Sequence, residues 1–383
     1  MSPEPLHVGY IPLTDCAPLV VARELGFDRD EGLALRLTPA PSWATLRDRL
    51  ATGAEDAAHM LAPVPIAQAL GLGPLPQGFE ALQVLSVNGT IVGLSRALAE
   101  RLSDTDGPLP FADPVALRAR LLAATPLRVA VPFGYSMHRE LLHRWLGDDA
   151  PLQIRTVPPP QMAEALRSGT VDLFCVGEPW GSVAVDSGLA HLILPGSAIW
   201  SFAPEKVLAT RTGWAEANPE LARALMRAVW RAGRWLADPG ARATAVEMLA
   251  RPALLGQPAE LLDRAMQGRL VVAPDGTTRD VPGFVHFHDG AAAFPWRSQA
   301  AWIADRLARR LGHDRADARA RGRQVFRSDL FRAHLSGLGA DMPSAASKVE
   351  GALTQPTALA SAEGRVILPA DRFFDGKAFD PGD

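Results

Sequence analysis

Short apolar runs alternate with segments of helical period along this chain, and this alternation constrains the fold more than any other feature. In the first hundred residues the predicted strands are 6–11, 33–38, 57–61 and 82–87, with a predicted helix at 46–51. Strands separated by helices usually form a mostly parallel sheet that helices cover. The pattern therefore predicts an α/β fold.

A second unit of the same kind follows the segment 103–114, which is rich in Asp, Pro and Gly. Such a segment breaks regular structure and predicts a surface excursion near a lobe boundary. The predicted strands of the second unit are 127–131, 153–157 and 173–176, and its predicted helices are 137–146 and 162–167. Two alternating units of this length predict two lobes.

Beyond Lys206 the pattern becomes strongly helical, and Asn218-Pro219 opens a long amphipathic run over 220–236. We expect these helices to pack on the first lobe. The predicted organisation is a first part of lobe 1 at 1–100, lobe 2 at 101–200, a return to lobe 1 with a helical C-terminal part at 201–335, and a partly ordered tail at 336–383.

Composition excludes several classes of function. The 383 residues are 48% hydrophobic and 21% charged, as in an ordinary globular protein, and a net charge of −3 gives no basic field for direct binding of nucleic acid. The chain has no apolar run long enough to predict a membrane span. Its two cysteines, Cys16 and Cys175, are far apart and lack metal-ligand spacing, so we expect neither a metal nor a cofactor.

Two predicted helix starts carry ring side chains. Ser42 occupies an N-cap position and Trp43 lies in the first turn, where its indole is either core or the flat wall of a pocket. Ser136 caps a helix whose first turn carries His138, and free backbone N–H groups at such a start favour an anion. His138 is either a ligand for that anion or a histidine with an ordinary structural partner.

Two further positions carry charge next to apolar segments. Gly177 ends a predicted strand and lets the backbone approach a ligand, while Glu178 is either an acceptor that orients Lys206 or His138, or a carboxylate that complements a helix dipole. Lys206 enters an apolar run, where it is either functional or extends to solvent. Helix starts, a cation and an aromatic plate together are the chemistry that a small planar oxyanion needs.

Six stretches of the sequence resemble the nitrate- and bicarbonate-binding components of ABC transporters and their relatives that sense nitrate and nitrite. These stretches are GYIPLTDCAPL at 9–19, SWATLRD at 42–48, AHMLAPVP at 58–65, VPPPQM at 157–162, CVGEPW at 175–180 and FPWRSQ at 294–299. The resemblance implies a type II periplasmic-binding-protein fold, with two lobes around a ligand cleft. Carried over by position, the ligand-contacting residues are Trp43, His138, Gly177, Glu178 and Lys206.

One position departs from the family pattern, because Thr90 stands where nitrate-binding members carry a glutamine. Threonine still donates one hydrogen bond, so we keep Thr90 as a ligand-binding candidate, and nitrate, nitrite and bicarbonate all stay open as ligands.

The start Met1-Ser2-Pro3-Glu4-Pro5 has no pattern of a secretory leader, which predicts a cytoplasmic protein, or a periplasmic or membrane-associated one if the true start lies upstream. The resemblance then implies the NasS-like sensor branch, which controls an antiterminator protein of the ANTAR response-regulator class. The alternative is the substrate-binding component that serves an ABC transporter permease. An enzyme on the same fold is the remote alternative, and we predict none, because His138 and Glu178 have no nucleophile or metal motif beside them.

Overall fold

The computed structural model describes residues 3–362 and 366–382 and folds them into two α/β lobes on separate sheets. Two further pairs of short strands lie outside these sheets. The strands in chain order are β1 (Glu4–Tyr10), β2 (Leu33–Pro39), β3 (Ala57–Leu61), β4 (Phe79–Asn88), β5 (Thr90–Ser95), β6 (Leu127–Val131), β7 (Leu152–Thr156), β8 (Leu173–Gly177), β9 (Ala190–Pro195), β10 (Pro204–Arg211), β11 (Arg269–Val271), β12 (Thr278–Asp280), β13 (Val285–His286), β14 (Thr357–Leu359) and β15 (Val366–Leu368).

The α-helices pack on the sheets and make up most of residues 214–335. In chain order they are α1 (Ala17–Glu24), α2 (Phe27–Asp30), α3 (Trp43–Thr52), α4 (Pro63–Ala69), α5 (Arg96–Asp106), α6 (Pro114–Ala123), α7 (Met137–Leu146), α8 (Met162–Arg167), α9 (Trp180–Asp186), α10 (Trp214–Ala217), α11 (Pro219–Leu236), α12 (Arg242–Leu249), α13 (Ala259–Gln267), α14 (Arg297–Leu311), α15 (Arg315–Val325) and α16 (Ser328–Leu335).

The sheet of the first lobe has the order β13-β4-β10-β3-β1-β2. Strand β1 pairs parallel with β2 and β3, whereas β10 lies between β3 and β4 and runs antiparallel to both. The sheet of the second lobe has the order β7-β6-β8-β5-β9. There β6 pairs parallel with β7 and β8, and β5 runs antiparallel to β8 and β9.

The expectation of a mostly parallel sheet is wrong, because both sheets are mixed. The chain passes from β4 directly into β5 and so enters the second sheet from the first lobe, and it returns from β9 into β10. Strands β5 and β10 each enter their sheet from the other lobe, and each therefore runs antiparallel to the strands on both sides of it. The two-lobed α/β fold itself is confirmed.

Asn88 fastens together the two chain segments that cross between the lobes. Its backbone has a φ of 62°, a conformation that asparagine tolerates better than most residues. The side chain donates from Nδ2 to the carbonyl of Ser201 over 2.9 Å and accepts at Oδ1 from the amide of Ala203 over 3.1 Å. Asn88 lies on the segment that leaves the first lobe, and its side chain uses both its donor and its acceptor to hold the segment that returns.

Helix α11 shows how the C-terminal part is attached. Pro219 stands at its start, where the missing N–H costs nothing. Its inner face buries Leu225, Met226 and Val229, and the helix packs on α1 and α2 of the first lobe. Burying each such side chain stabilises the fold by about 1.5 to 3 kcal/mol. No helix within residues 3–362 and 366–382 has the length and apolar character to cross a membrane.

Candidate functional site

Charged and aromatic side chains from both lobes meet between the two sheets. We call these residues the interlobe cluster; its members are Asp15 on the turn after β1, Trp43 at the start of α3, His59 in β3, His138 at the start of α7, and Glu205 and Lys206 in β10. These residues are at most 2% exposed. So many buried ionisable groups indicate a site with a function.

Lys206 is the centre of this cluster. Its Nζ atom lies 2.6 Å from Oδ2 of Asp15 and 2.8 Å from Oε1 of Glu205. Burial lowers the pKa of Lys206, but the two carboxyl groups outweigh burial and leave the pKa above its ordinary value. The side chain is 0% exposed, which excludes a lysine that extends to solvent. The site therefore holds a permanent buried cation.

Asp15 links this cation to His59. Its Oδ1 atom lies 3.1 Å from Nε2 of His59, while Oδ2 contacts Lys206. Burial would raise the pKa of Asp15, but Lys206 and His59 together hold it well below its usual range. Burial lowers the pKa of His59 despite the carboxylate beside it. Asp15 is thus an ionised partner for Lys206, and His59 is a neutral ring beside it.

On the opposite side of Lys206, Glu205 connects to the second lobe. The Oε1 atom that contacts Lys206 also lies 3.3 Å from Nδ1 of His138. Burial raises the pKa of Glu205 to about 7, and burial with the nearby Lys206 charge lowers the pKa of His138 well below its ordinary value. Ser136 caps α7 by accepting from the amide of Arg139, which places His138 in the first turn.

Trp43 covers the cation with its ring. Ser42 caps α3 by accepting from the amide of Thr45, so the indole projects from the first turn. The ring centre lies 5.6 Å from Nζ of Lys206 and 5.7 Å from the ring centre of His59. The Trp43 ring is therefore a plate beside the charged groups and also part of the hydrophobic core, so it combines both roles considered for it.

The lobes are closed around the cluster. Thr14 donates from its amide (2.9 Å) and its hydroxyl (3.0 Å) to the carbonyl of Glu178. Trp180 donates from Nε1 to the carbonyl of Pro12 over 3.2 Å. These contacts bring the end of β8 onto the turn that carries Asp15, which explains why the cluster has no access to solvent.

Gly177 and Thr90 lie side by side at this closure, paired across β8 and β5. A Cβ atom added at Gly177 would lie 3.7 Å from Oδ2 of Asp15, so the backbone of the second lobe passes close to the cluster. Thr90 is 2% exposed, and a Cβ atom added at Gly196 would lie 2.1 Å from its hydroxyl oxygen. Any residue larger than glycine at position 196 would therefore overlap the Thr90 hydroxyl group.

Of the two roles considered for Glu178, the structure places its side chain as a carboxylate at a helix start and not as the acceptor for Lys206 or His138. Its carboxylate turns back onto its own helix and accepts from the amide of Ser182 over 3.0 Å. Burial raises the pKa of Glu178 to about 7. The acceptor that orients both Lys206 and His138 is instead Glu205, because β10 carries it directly beside the lysine. What Glu178 contributes to the closure is its backbone carbonyl.

Polar atoms within the cluster are left without hydrogen-bond partners among the described residues. They are Nε1 of Trp43, both Nδ1 and Nε2 of His59, both Nδ1 and Nε2 of His138, and Oδ1 of Asp15. An unpaired buried polar group costs about 1 to 3 kcal/mol. An ammonium also has three N–H groups, and the two carboxyl groups of the cluster engage two of those of Lys206. A small ligand with several acceptor oxygens would accept hydrogen bonds from the ring N–H groups and from the third N–H of Lys206 together.

Reasoning from single segments did not select Asp15, His59 or Glu205. Each is a polar residue close to or within an apolar run, and this is the signal that singled out Lys206. Asp15 and His59 also fall inside stretches that carry the family resemblance. Within residues 3–362 and 366–382, no three or more His, Cys, Asp or Glu side chains are grouped so that they could hold a metal ion.

The sequence profile described as the NMT1-like family matches residues 1–250. The chain belongs to the NMT1-like family. Within it, this NMT1-like protein is 31% identical over 98% of its length to the nitrate/nitrite binding protein NrtA of Synechococcus elongatus, of which it covers 83%. That match identifies an NrtA-type solute-binding protein. Relatives of this type are binding proteins, which confirms the prediction that the chain is not an enzyme.

Another relative is longer than this NMT1-like protein. The nitrate import ATP-binding protein NrtC of Synechocystis is 35% identical over 79% of the chain, and the match spans 46% of that protein. The chain thus spans about half the length of this relative.

Solved structures confirm the periplasmic-binding-protein fold of this NMT1-like protein. The periplasmic nitrate-binding protein NrtA from Synechocystis superimposes with a TM-score of 0.84 at 26% identity, over 99% of this chain and 96% of that one. The aliphatic sulphonate binding protein SsuA from Escherichia coli gives a TM-score of 0.56 at 18% identity, over 86% of this chain and 100% of that one, and shares the fold alone.

Proposed function

We propose that the interlobe cluster binds nitrate or nitrite. The observation that carries this proposal is the buried ammonium of Lys206, which lies under the Trp43 ring beside ring nitrogens that have no partner in the described part of the chain. The relatives named as nitrate/nitrite binding proteins, which this chain matches over 98% of its length, support the same ligands.

The geometry suits a small planar oxyanion. The flat Trp43 ring accommodates a flat ligand, and Lys206 supplies a charge-assisted hydrogen bond, the strongest kind available to an oxygen acceptor. The start of α7 adds backbone N–H groups and the positive end of a helix dipole. Thr90, Gly177 and Glu178 remain candidates for further ligand contacts, through the hydroxyl of Thr90 and the backbone of the other two.

Isothermal titration calorimetry with nitrate, nitrite, bicarbonate and chloride tests the ligand. We expect nitrate and nitrite to bind and chloride not to bind. A ligand at a hundredfold excess over its Kd stabilises the native state by about 2.7 kcal/mol, so the Tm should rise in parallel. Failure of both nitrogen oxyanions to bind a folded sample at millimolar concentration would overturn the proposal, and binding of bicarbonate alone would replace the ligand.

For the cellular role, the importer alternative now has the better support. Relatives of the chain are named for nitrate import and bicarbonate transport, so we propose that it delivers its anion to an ABC transporter permease and acts in the periplasm or at the membrane. The sensor that controls an ANTAR-class antiterminator from the cytoplasm is the second candidate. Its expected mechanism is a complex in the ligand-free state that dissociates when the lobes close on the anion.

Size-exclusion chromatography separates the two roles. The purified chain is run with the permease complex of the importer in nanodiscs, and separately with the antiterminator, each with and without nitrate. Association with the permease complex supports delivery to the importer. Co-elution with the antiterminator that nitrate abolishes would establish the sensor instead.

A further inference from the structure

We propose that the interlobe cluster takes up one proton, on Glu205, when it binds its anion, and that Glu205 thereby determines how much negative charge the site accepts. The inference rests on the proposed function and adds a residue that the carried-over ligand set does not contain. It concerns how a closed, buried site with two carboxyl groups can hold a third negative group.

The charges of the cluster do not favour an anion when every carboxyl group is ionised. Lys206 carries one positive charge, whereas Asp15 and Glu205 both lie within 2.8 Å of its ammonium. Two carboxylates and one ammonium leave the cluster with a net charge of −1 while its histidines are neutral. Because these groups are buried, repulsion of an incoming anion is only weakly screened. One carboxylate must therefore lose its charge.

Geometry selects Glu205 rather than Asp15 as the group that is protonated. Asp15 has Nε2 of His59 as a second polar neighbour, 3.1 Å from its Oδ1 atom, and makes the shorter contact with Lys206. Glu205 shares a single oxygen between Lys206 and His138. In agreement, the pKa of Glu205 is raised to about 7 by burial, whereas that of Asp15 is held low by Lys206 and His59 against the effect of burial.

Every other ionisable group that faces Glu205 keeps one protonation state near neutral pH. These groups are Asp15 from the turn after β1, His138 from α7, Cys175 from β8 and Lys206 from β10 itself. Cys16 and His59 interact with Asp15 rather than with Glu205. Burial raises the pKa of both thiols and lowers the pKa of both histidines. Glu205 is consequently the member of the cluster that titrates in this range.

Protonation also changes what Glu205 can do for the ligand. A carboxylate only accepts hydrogen bonds, whereas a neutral carboxyl group donates one O–H. The proton therefore removes a repulsive charge and adds a donor, either toward the anion or toward Nδ1 of His138, 3.3 Å away. An anion bound nearby raises the pKa of Glu205 further and retains the proton in the complex.

Nitrate itself does not titrate near neutral pH, so any pH dependence of its binding comes from the protein. We expect the Kd for nitrate to be constant below about pH 7 and to rise by up to tenfold per pH unit above it. Calorimetry of nitrate binding at pH 8, in two buffers of different ionisation enthalpy, should count close to one proton taken up per nitrate. A count near zero together with a Kd that is equal at pH 6 and pH 9 would overturn the inference while leaving the proposed function intact.

Glu178 has a similarly raised pKa, so a variant must identify the group. Glu205→Gln mimics the protonated carboxyl group; we expect its Kd to be independent of pH and to lie below that of the parent at pH 8.5. The matched control is Glu350→Gln, which alters a buried glutamate beside Lys348 in another cluster and should keep the parental pH profile. A parental slope in a folded Glu205→Gln variant would exclude Glu205 as the group, and absence of both nitrate and nitrite binding by the folded parent at pH 6 would overturn the proposed function itself.

Discussion

The ammonium of Lys206 lies 5.6 Å from the ring centre of Trp43, although the two residues belong to elements that are far apart in the sequence. Strand β10 reaches this position only after the chain has passed through the whole second lobe. A desolvated contact of this kind contributes about 2 kcal/mol. The return of the chain to the first sheet is therefore the step that completes the site.

Replacing Lys206 by alanine should weaken nitrate binding by about ten- to hundredfold, because a charge-assisted hydrogen bond contributes roughly 1.5 to 3 kcal/mol. Lys348 offers a matched control, since it contacts Glu350 and Asp371 and lies 5.7 Å from the ring centre of Trp296. Lys348→Ala should lower the free energy of unfolding without changing the Kd. Equal loss of affinity in both variants, measured by calorimetry, would mean that Lys206 acts through stability alone.

Removing the aromatic plate should have a smaller effect than removing the cation. We expect Trp43→Ala to raise the Kd for nitrate about three- to tenfold and Trp43→Phe to stay close to the parent, because phenylalanine keeps a flat ring over Lys206. Quenching of tryptophan fluorescence in the parent provides an independent binding signal. A Trp43→Ala variant that is folded and binds with the parental Kd would show that the ring is only part of the core.

Gly196 and Thr90 should behave as a coupled pair. Gly196→Ala introduces a Cβ atom 2.1 Å from the Thr90 hydroxyl oxygen, and this overlap should cost about 1 to 3 kcal/mol in the free energy of unfolding. Thr90→Ala removes the overlapping oxygen, so the double variant should recover most of the loss. Urea unfolding of the four proteins measures the coupling; additive losses would contradict the contact.

Glu178 should make the stability of the protein depend on pH. Its folded pKa of about 7 exceeds the ordinary value of 4.5, so its contribution is fully present below pH 4.5 and is lost as the pH rises toward 7. The loss is on the order of 3 kcal/mol. Glu178→Gln keeps an acceptor for Ser182, and its free energy of unfolding should gain on the parent between pH 5 and pH 8. Parallel pH curves for the two proteins would be inconsistent with a buried, titrating Glu178.

Local patterns were sufficient for elements whose ends are marked by composition. The predicted strands at 57–61 and 127–131 and the predicted helices at 137–146 and 162–167 have the observed bounds. In each case an apolar run or a helical repeat ends at a clear break. The strands β5 and β9 were not predicted, because β5 follows β4 after a single residue, Gly89, and nothing local indicates that the next apolar run belongs to another sheet.

The residues of the candidate site also divide into those that local sequence features identified and those that they did not. Helix starts identified Trp43 and His138, and an unusual lysine in an apolar run identified Lys206, because each feature is visible within a few residues. The partners of Lys206 were not visible, since its contact with Asp15 requires the end of β1 and the start of β10 to be brought to the same end of one sheet. Which carboxyl group faces the lysine is a property of tertiary structure, and this is why Glu178 was chosen where Glu205 makes the contact.

The closed lobes also limit how fast the anion can enter and leave the site. Groups that are at most 2% exposed cannot exchange a ligand with solvent while Thr14 and Trp180 hold the lobes together. Escape must wait for these contacts to separate, whichever anion is inside. Nitrate and nitrite would then share one maximum dissociation rate, the frequency at which the lobes part. The shortest residence time of a bound anion is therefore set by how often the lobes open, and the identity of the anion can only lengthen it.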